Sequence, residues 1–296
     1  MLGIIGGTGI YALDGLEILQ QHTRDTPFGA PSAPLVRGVL AGQQVCFLAR
    51  HGVAHQLLPA EVNYRANIWA LKSLGVTQVV AVSAVGSLQH EIAPGDLSIP
   101  DQYFDFVKGE RQRTFFGQGL AAHVSTAEPT CGCLTAELVA AAAELDLVIQ
   151  TGKTYGCVDG PRLGTRAESF FLRGAAGCDL VGMTNVPEVF LAREAQLCYS
   201  TLCIATDYDC WLDDPDQHVS VEQVIARYGA SLERAKTVIH QLIRRRNKDA
   251  SANDSPAVSD QAGSTCHCRT ALNGAVLTTP DHLNDDKRAL LELLQR

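Results

Sequence analysis

"STLCIATDYDCW", residues 200–211, opens on an apolar, β-branched run and closes on two carboxylates, Asp207 and Asp209. A strand wet on one face would alternate polar and apolar residues. "STLCIAT" (200–206) does not, which predicts cover on both faces, as in a parallel sheet layered with helices. Carboxylates at the mouth of a buried strand are costly unless something meets them. The stretch therefore predicts both a sheet and a site at its carboxyl edge.

Similar short runs lie on either side: "LGIIGG" (2–7), "QVCFLAR" (44–50), "QVVAVSA" (78–84), "LVIQTGKTYG" (147–156) and "DLVGMT" (179–184). Helical patterns separate them at 59–75, 134–147 and 184–197, and a long amphipathic helix is predicted over 219–246. Strand–helix alternation of this kind predicts an α/β fold: a single domain with a central twisted mixed, mainly parallel sheet flanked by helices. Residues 1–246 form that domain. The polar, aperiodic stretch 247–264 reads as a flexible linker or loop, and 265–296 as a C-terminal appendage with a Cys-x-Cys pair and a terminal helix.

A formal charge of −8 over 296 residues argues against a nucleic-acid or anionic-membrane partner, since both reward clustered Lys and Arg. Any anionic ligand must be held by a few placed donors. The start "MLGIIGGTGIY" lacks the pattern of a signal peptide, and no run reaches the roughly 18 apolar residues of a membrane span. The expected location is the cytoplasm. Of ten cysteines, those set singly in apolar runs, such as Cys46 and Cys203, read as core residues. "CGC" (Cys131, Cys133) and "CHC" (Cys266, Cys268) could together supply four zinc ligands or form disulfides that staple the tail. Their spacing is not the usual Cys-x2-Cys, and the expectation is no metal.

Three predicted strands end in groups suited to an anion. "GGTG" (6–9) offers turning backbone N–H groups and the Thr8 hydroxyl. It is not a dinucleotide fingerprint, because Ala12 stands where the third Gly belongs. "LARHG" (48–52) brings Arg50, a potential bidentate phosphate grip, and His51. "SAVGS" (83–87) adds the Ser83 and Ser87 hydroxyls and the backbone of Ala84 and Gly86, and Thr184 ends a further strand beside Met183. Together they predict one anion pocket fitting inorganic phosphate or sulfate. Glu168 and Glu188 are expected to form ion pairs with Arg162 and Arg166, with ribose hydroxyls as the other possible partner.

"GIIGGTG", "TPFGAPS", "LARHG", "VNYRANIWALK", "GPRLGTRAES", "MTNVPEVFLARE" and "ATDYDCW" together resemble the methylthioadenosine phosphorylase branch of the trimeric purine nucleoside phosphorylase family. The likeness runs in order from about residue 2 to 246, and the "CHC" tail is similar to that of many microbial members. It implies a one-domain phosphorylase that cleaves methylthioadenosine with phosphate, giving adenine and methylthioribose 1-phosphate. Inorganic phosphate is then a co-substrate, and no cofactor is needed. Carried across by motif, phosphate meets Thr8, Arg50, His51, Ser83, Ala84 and Thr184. Met183 lies under the ribose, Leu163 and Gly164 border the base, and Asp207 and Asp209 face it. The methylthio group sits among Val221, Val224 and Ile225. A neighbouring subunit completes that pocket, which implies a homotrimer or homohexamer with shared sites.

Within that reading, an acid near purine N7 neutralises the leaving base, and Asp207, at the apolar strand end, is the better candidate. Asp209 accepts from a 6-amino group or supports Asp207. Carboxylates suit a 6-amino purine, whereas a 6-oxo purine presents an acceptor and prefers an amide donor. "GPRLG" departs from the family's more usual Phe-Ser after Gly-Pro-Arg: Leu163 removes an aromatic stack and Gly164 a hydroxyl. The alternatives are a methylthioinosine or general purine nucleoside phosphorylase, a non-catalytic nucleotide or thiol sensor, and a dinucleotide-dependent oxidoreductase.

Overall fold

Neighbouring residues of the early strands enter two different cores. Ile4, Phe47, Val80 and Val82 face one; Ile5, Leu48 and Ala81 face the other. This is the double burial expected of an apolar run without alternation. The computed structural model describes residues 1–7, 15–212, 221–252 and 266–296, and in the long helix 221–252 the side chains of residues 229 and 231–248 only.

Among the described residues nine strands make one mixed sheet: β1 (Leu2–Gly6), β2 (Glu17–His22), β3 (Leu35–Leu40), β4 (Gln43–Ala49), β5 (Gln78–Ser87), β6 (Leu97–Asp105), β7 (Ile149–Cys157), β8 (Leu180–Gly182) and β9 (Cys198–Asp207). Pairs β1–β4, β1–β5, β5–β9, β6–β7 and β7–β8 are parallel; β2–β3, β3–β4, β5–β8 and β6–β9 are antiparallel. Because β5 pairs with both β8 and β9, and β6 with both β7 and β9, the second half of the sheet closes on itself. β5 is the seam between the open and closed halves. Gly86 on β5 faces Val181 of β8 on one side and Asp207 of β9 on the other.

Helices α1 (Tyr64–Ser73) and α4 (Asn185–Glu194) cover one face. The other is covered by α2 (Gly132–Ala143) and α5 (Val221–Ala252). α1 starts later than the sequence pattern predicts, at residue 64 rather than 59. Asn63 caps it by accepting from Ala66 N (3.1 Å) and also donates to Phe28 O (2.7 Å), which ties the helix entrance to the loop 23–34. Short α3 (Arg166–Phe170) follows the "GPRLG" loop.

The C-terminal segment joins the main core. Leu272, Leu283, Leu290 and Leu294 belong to the cluster that holds Ile5 and Leu48, and α6 (Asp285–Gln295) packs on α1. Arg269 donates to Gln196 O (2.8 Å) and Arg296 O (2.7 Å). Helix α5 continues to Ala252, so residues 247–252 extend the helix instead of opening a linker; 253–265 lie outside the described residues.

Candidate functional site

Strands β1, β4 and β5 run parallel, with Gly6 level with Ala49 and Ile5 level with Ala81, so their carboxyl ends share one edge. Arg50, the next residue after β4, donates its backbone N–H to Gly6 O (2.9 Å). Its side chain turns inward and is 2% exposed. Nε donates to Glu188 Oε2 (2.7 Å), Nη2 to Glu188 Oε1 (2.8 Å) and Nη1 to Val82 O (2.9 Å). Burial opposes the guanidinium charge; the Glu188 carboxylate outweighs it and holds the group above its ordinary range. Tyr199 donates its hydroxyl to Glu188 Oε1 (2.8 Å), and Thr201 Oγ1 and Asn185 extend the network. Glu188 thus pairs with Arg50, not with Arg162 or Arg166 as its place in the sequence suggested. Arg50 keeps one N–H on each Nη nitrogen beyond these three bonds.

His51 contacts Leu57 O through Nδ1 (2.8 Å) and stacks on His55 at 4.6 Å. Burial, reinforced by the Arg50 charge, pushes its pKa down to about 4. The ring is therefore neutral near pH 7. A carbonyl can only accept, so Nδ1 carries the proton and Nε2 is left with its lone pair.

Ser83, within β5, and Thr184, the residue before α4, bring their hydroxyl oxygens to 3.5 Å of each other. Ala84 is exposed although the residues on either side are buried, which opens the strand surface beside this hydroxyl pair. The fold therefore gathers Arg50, His51, Ser83, Ala84 and Thr184 around the carboxyl edge. Thr8 lies outside the described residues. Val221, Val224 and Ile225 occupy the start of α5, where side chains are not described.

A cavity of about 280 Å³ is bordered by Phe106, Gly160, Arg162, Gly164, Ser169 and Asp209 among others. Met183 packs against Gly160 of its wall, so closely that a Cβ on Gly160 would meet the Met183 Sδ at 2.5 Å. Arg111 fixes this wall: Nη1 donates to Met183 O (2.9 Å) and Val186 O (2.6 Å), and Nη2 to Asp159 O (3.0 Å). Phe106, Lys108, Asp159 and Arg111 were not singled out in the sequence. They come from the connections after β6 and β7, and no spacing rule links them to the other motifs. "FDFVKGER" (104–111) carried only a local sign, aromatic alternation followed by a basic cluster.

Arg162 and Glu168 form the expected ion pair, bidentate at 2.8 and 2.7 Å. Glu168 also closes a capping box with Thr165, and the Arg162 hydrogen bond helps hold its carboxyl down at about 2. Leu163 is 44% exposed, and a Cβ at Gly164 would meet open space.

Asp207 and Asp209 are placed differently at the end of β9. Asp207 Oδ1 accepts from Asp209 N (2.7 Å) and Oδ2 from Thr206 Oγ1 (2.6 Å). Both bonds build the turn that carries Asp209 at φ 50°. Asp209 itself borders the cavity. Burial raises its proton affinity, with the Ser169 hydroxyl opposing. Of the two, Asp209 is the one that borders the cavity, and Asp207 holds its backbone N–H.

Residues 1–244 match the phosphorylase superfamily. The chain is 43% identical over 294 residues to the S-methyl-5'-thioadenosine phosphorylase of Geobacter sulfurreducens, covering 99% of this chain and 97% of that protein. It is 45% identical over 276 residues to the protein of the same name from Hyperthermus butylicus, covering 93% and 95%. Its fold is similar to a crystal structure of methylthioadenosine phosphorylase from an antarctic soil metagenomic library, with TM-score 0.87, 40% identity and coverage of 99% and 98%. It is also similar to methylthioadenosine phosphorylase of Schistosoma mansoni in complex with adenine, with TM-score 0.80, 33% identity and coverage of 92% and 99%. Among the described residues no helix is long and apolar enough to cross a membrane.

Proposed function

The chain belongs to the phosphorylase superfamily, and we propose that it cleaves S-methyl-5'-thioadenosine with inorganic phosphate, releasing adenine and 5-methylthioribose 1-phosphate. The observation that carries this reading is the position of Met183, which packs on Gly160 of the cavity wall and directly precedes Thr184 of the hydroxyl pair. Asp209 borders that cavity, and Ser83 is the other member of the pair.

In this reading adenine fills the cavity, the ribose crosses Met183, and phosphate is held at the sheet edge by Thr8, Ser83, Thr184, the Ala84 backbone and the two spare Arg50 N–H groups. Neutral His51 accepts a hydrogen bond through Nε2 from a protonated phosphate oxygen, which keeps its proton. Phosphate attacks C1′ as the bond to N9 breaks. Its negative charge stabilises the developing oxocarbenium ion on one side. On the other, Asp209 delivers a proton to N7 so that the base does not leave as an anion. Asp207 orients Asp209 through its backbone N–H.

The Asp209 carboxyl, giving its proton to N7 through one oxygen, can accept from a 6-amino group through the other, which favours a 6-amino purine. Leu163, Phe170 and Phe171 are exposed near the cavity. We infer that a neighbouring subunit covers them and that Val221, Val224 and Ile225 meet the methylthio group, in a homotrimer or homohexamer with shared sites. Residues 1–246 supply the catalytic domain in this proposal. The reaction uses phosphate as co-substrate and no cofactor.

The test is release of free base from methylthioadenosine and methylthioinosine, each with and without phosphate. Phosphate-dependent adenine release is expected. Preferential hypoxanthine release would move the activity to 6-oxo substrates, and cleavage without phosphate would replace phosphorolysis by hydrolysis.

A further inference from the structure

Four cysteines from three separate parts of the chain meet behind the sheet, away from the cavity. Cys131 caps α2, Cys198 is the first residue of β9, and Cys266 and Cys268 bracket the start of the turn at His267–Thr270. Their Sγ atoms all lie within 4.8 Å of one another, and all four residues are buried. This is not the set that the two Cys-x-Cys pairs suggested. Cys133 is exposed, and Cys198 stands in its place.

We propose that these four sulfurs form a structural site for one zinc ion, which clamps residues 266–296 onto the sheet. Tetrahedral coordination at a Zn–S distance of about 2.3 Å puts neighbouring sulfurs about 3.8 Å apart. The Cys131–Cys266 separation is 3.6 Å. Four protein ligands and burial on every side describe a closed structural site, with no position left for water or substrate. Soft thiolates select zinc over calcium or magnesium.

Hydrogen bonds tie together the segments that carry Cys131, Cys198 and Cys268. Leu134 N donates to Cys131 Sγ (3.5 Å), which suits a sulfur that bears charge. Cys131 N donates to Tyr199 O (2.8 Å), fixing the first two ligands to each other's elements. Arg269, next to Cys268, donates to Gln196 O, two residues before Cys198. Binding breaks four S–H bonds, releases four protons to solvent and forms four S–Zn bonds, with no change of oxidation state.

Two disulfides within the same cluster are the competing chemistry. They would remove four hydrogens and leave no thiolate for a metal. The full chain, purified in reducing buffer and desalted, is assayed for zinc, and a parallel sample is loaded with cobalt. The expected result is one zinc per chain, with cobalt giving sulfur-to-metal charge transfer and the strong visible bands of a tetrahedral site. Cys198→Ser and Cys268→Ser should each reduce retained zinc at least tenfold, while Cys133→Ser keeps it. The cobalt spectrum of the unmodified chain decides the question even if those variants fail to fold. Absence of zinc together with absence of tetrahedral cobalt bands overturns the proposal. So does an intact mass four hydrogens light with the cluster's thiols blocked, or full zinc retention by Cys198→Ser and Cys268→Ser.

Discussion

The Arg50 guanidinium and the Glu188 carboxylate, 138 residues apart in sequence, form a buried bidentate pair at 2.7 and 2.8 Å. The pair holds a cation at the sheet edge without exposing it to solvent. Removing one partner strands the other. Glu188→Gln should therefore destabilise the chain by about 3–5 kcal/mol, the usual cost of leaving a buried charge unpaired. Denaturant unfolding with and without phosphate measures it. Phosphate should recover part of the loss by giving Arg50 a new anion; a stability change below 1 kcal/mol, on the order of a surface pair, would contradict the burial argument.

Asp209→Asn should lower kcat on methylthioadenosine by about 10²- to 10⁴-fold, the range of a lost general acid. Burial raises the Asp209 pKa, so the active protonated form is present below that pKa and lost as pH rises through it. The high-pH limb of kcat/KM should then disappear in the variant. Cleavage of a 6-oxo nucleoside should be spared, because an amide can donate to the 6-oxo group. Equal loss on both substrates would remove Asp209 from contact with the base.

Gly86 is the close-approach glycine of the site. An added Cβ would meet Val181 Cγ1 at 3.0 Å, Asp207 Oδ1 at 3.1 Å and Asp209 Cβ at 3.2 Å. Gly86→Ala should displace the acid pair by a few tenths of an ångström and cost activity well before it costs the fold. Steady-state kinetics and thermal melting of the same preparation separate the two effects. Unchanged kcat would show that the pair tolerates displacement.

The "GPRLG" loop tests base stacking. Leu163→Phe with Gly164→Ser has room, since a Cβ at Gly164 meets nothing within 4 Å. A restored aromatic contact is worth about 0.5–1.5 kcal/mol, or about 2- to 10-fold in KM for the nucleoside. An unchanged or raised KM would place residue 163 away from the base.

His51 sets a pH dependence of stability. Its folded pKa of about 4 lies below the ordinary 6.5, so the folded state favours the neutral ring. The contribution is complete above pH 6.5 and is lost as pH falls from 6.5 toward 4. Comparing melting curves of the natural chain and His51→Gln across that window should show a shallower decline in the variant. Parallel curves would mean that the ring titrates normally.

How far the sequence could be read follows from the kind of pattern each element leaves. β1, β4, β5 and β9 are buried on both faces and appear as apolar runs. The amphipathic helix α5 and the chain's order of strands and helices are legible for the same reason. β6, "LSIPDQYFD", was missed because Pro100 and Asp101 interrupt it; its ladder with β7 shifts register at Pro100. β2 was missed because Glu17–His22 is an edge strand with little buried surface.

Local chemistry was legible at "LARHG", "SAVGS", "GMT" and "ATDYDCW", because strand ends announce themselves as apolar runs that stop at polar groups. Burial on both faces is a property of composition, so a helix-covered sheet with polar groups along its carboxyl edge is legible in the order of residues alone. Which of those groups meet is settled by the folded arrangement. It gave Glu188 to Arg50, set Asp207 beneath Asp209, brought Arg111 to the Met183 wall, and joined Cys198 to the cysteines of the tail. Each of those meetings depends on the closure of the sheet around β5 and on the docking of distant segments. Such contacts are set by packing between residues far apart in the chain, and no local periodicity encodes them.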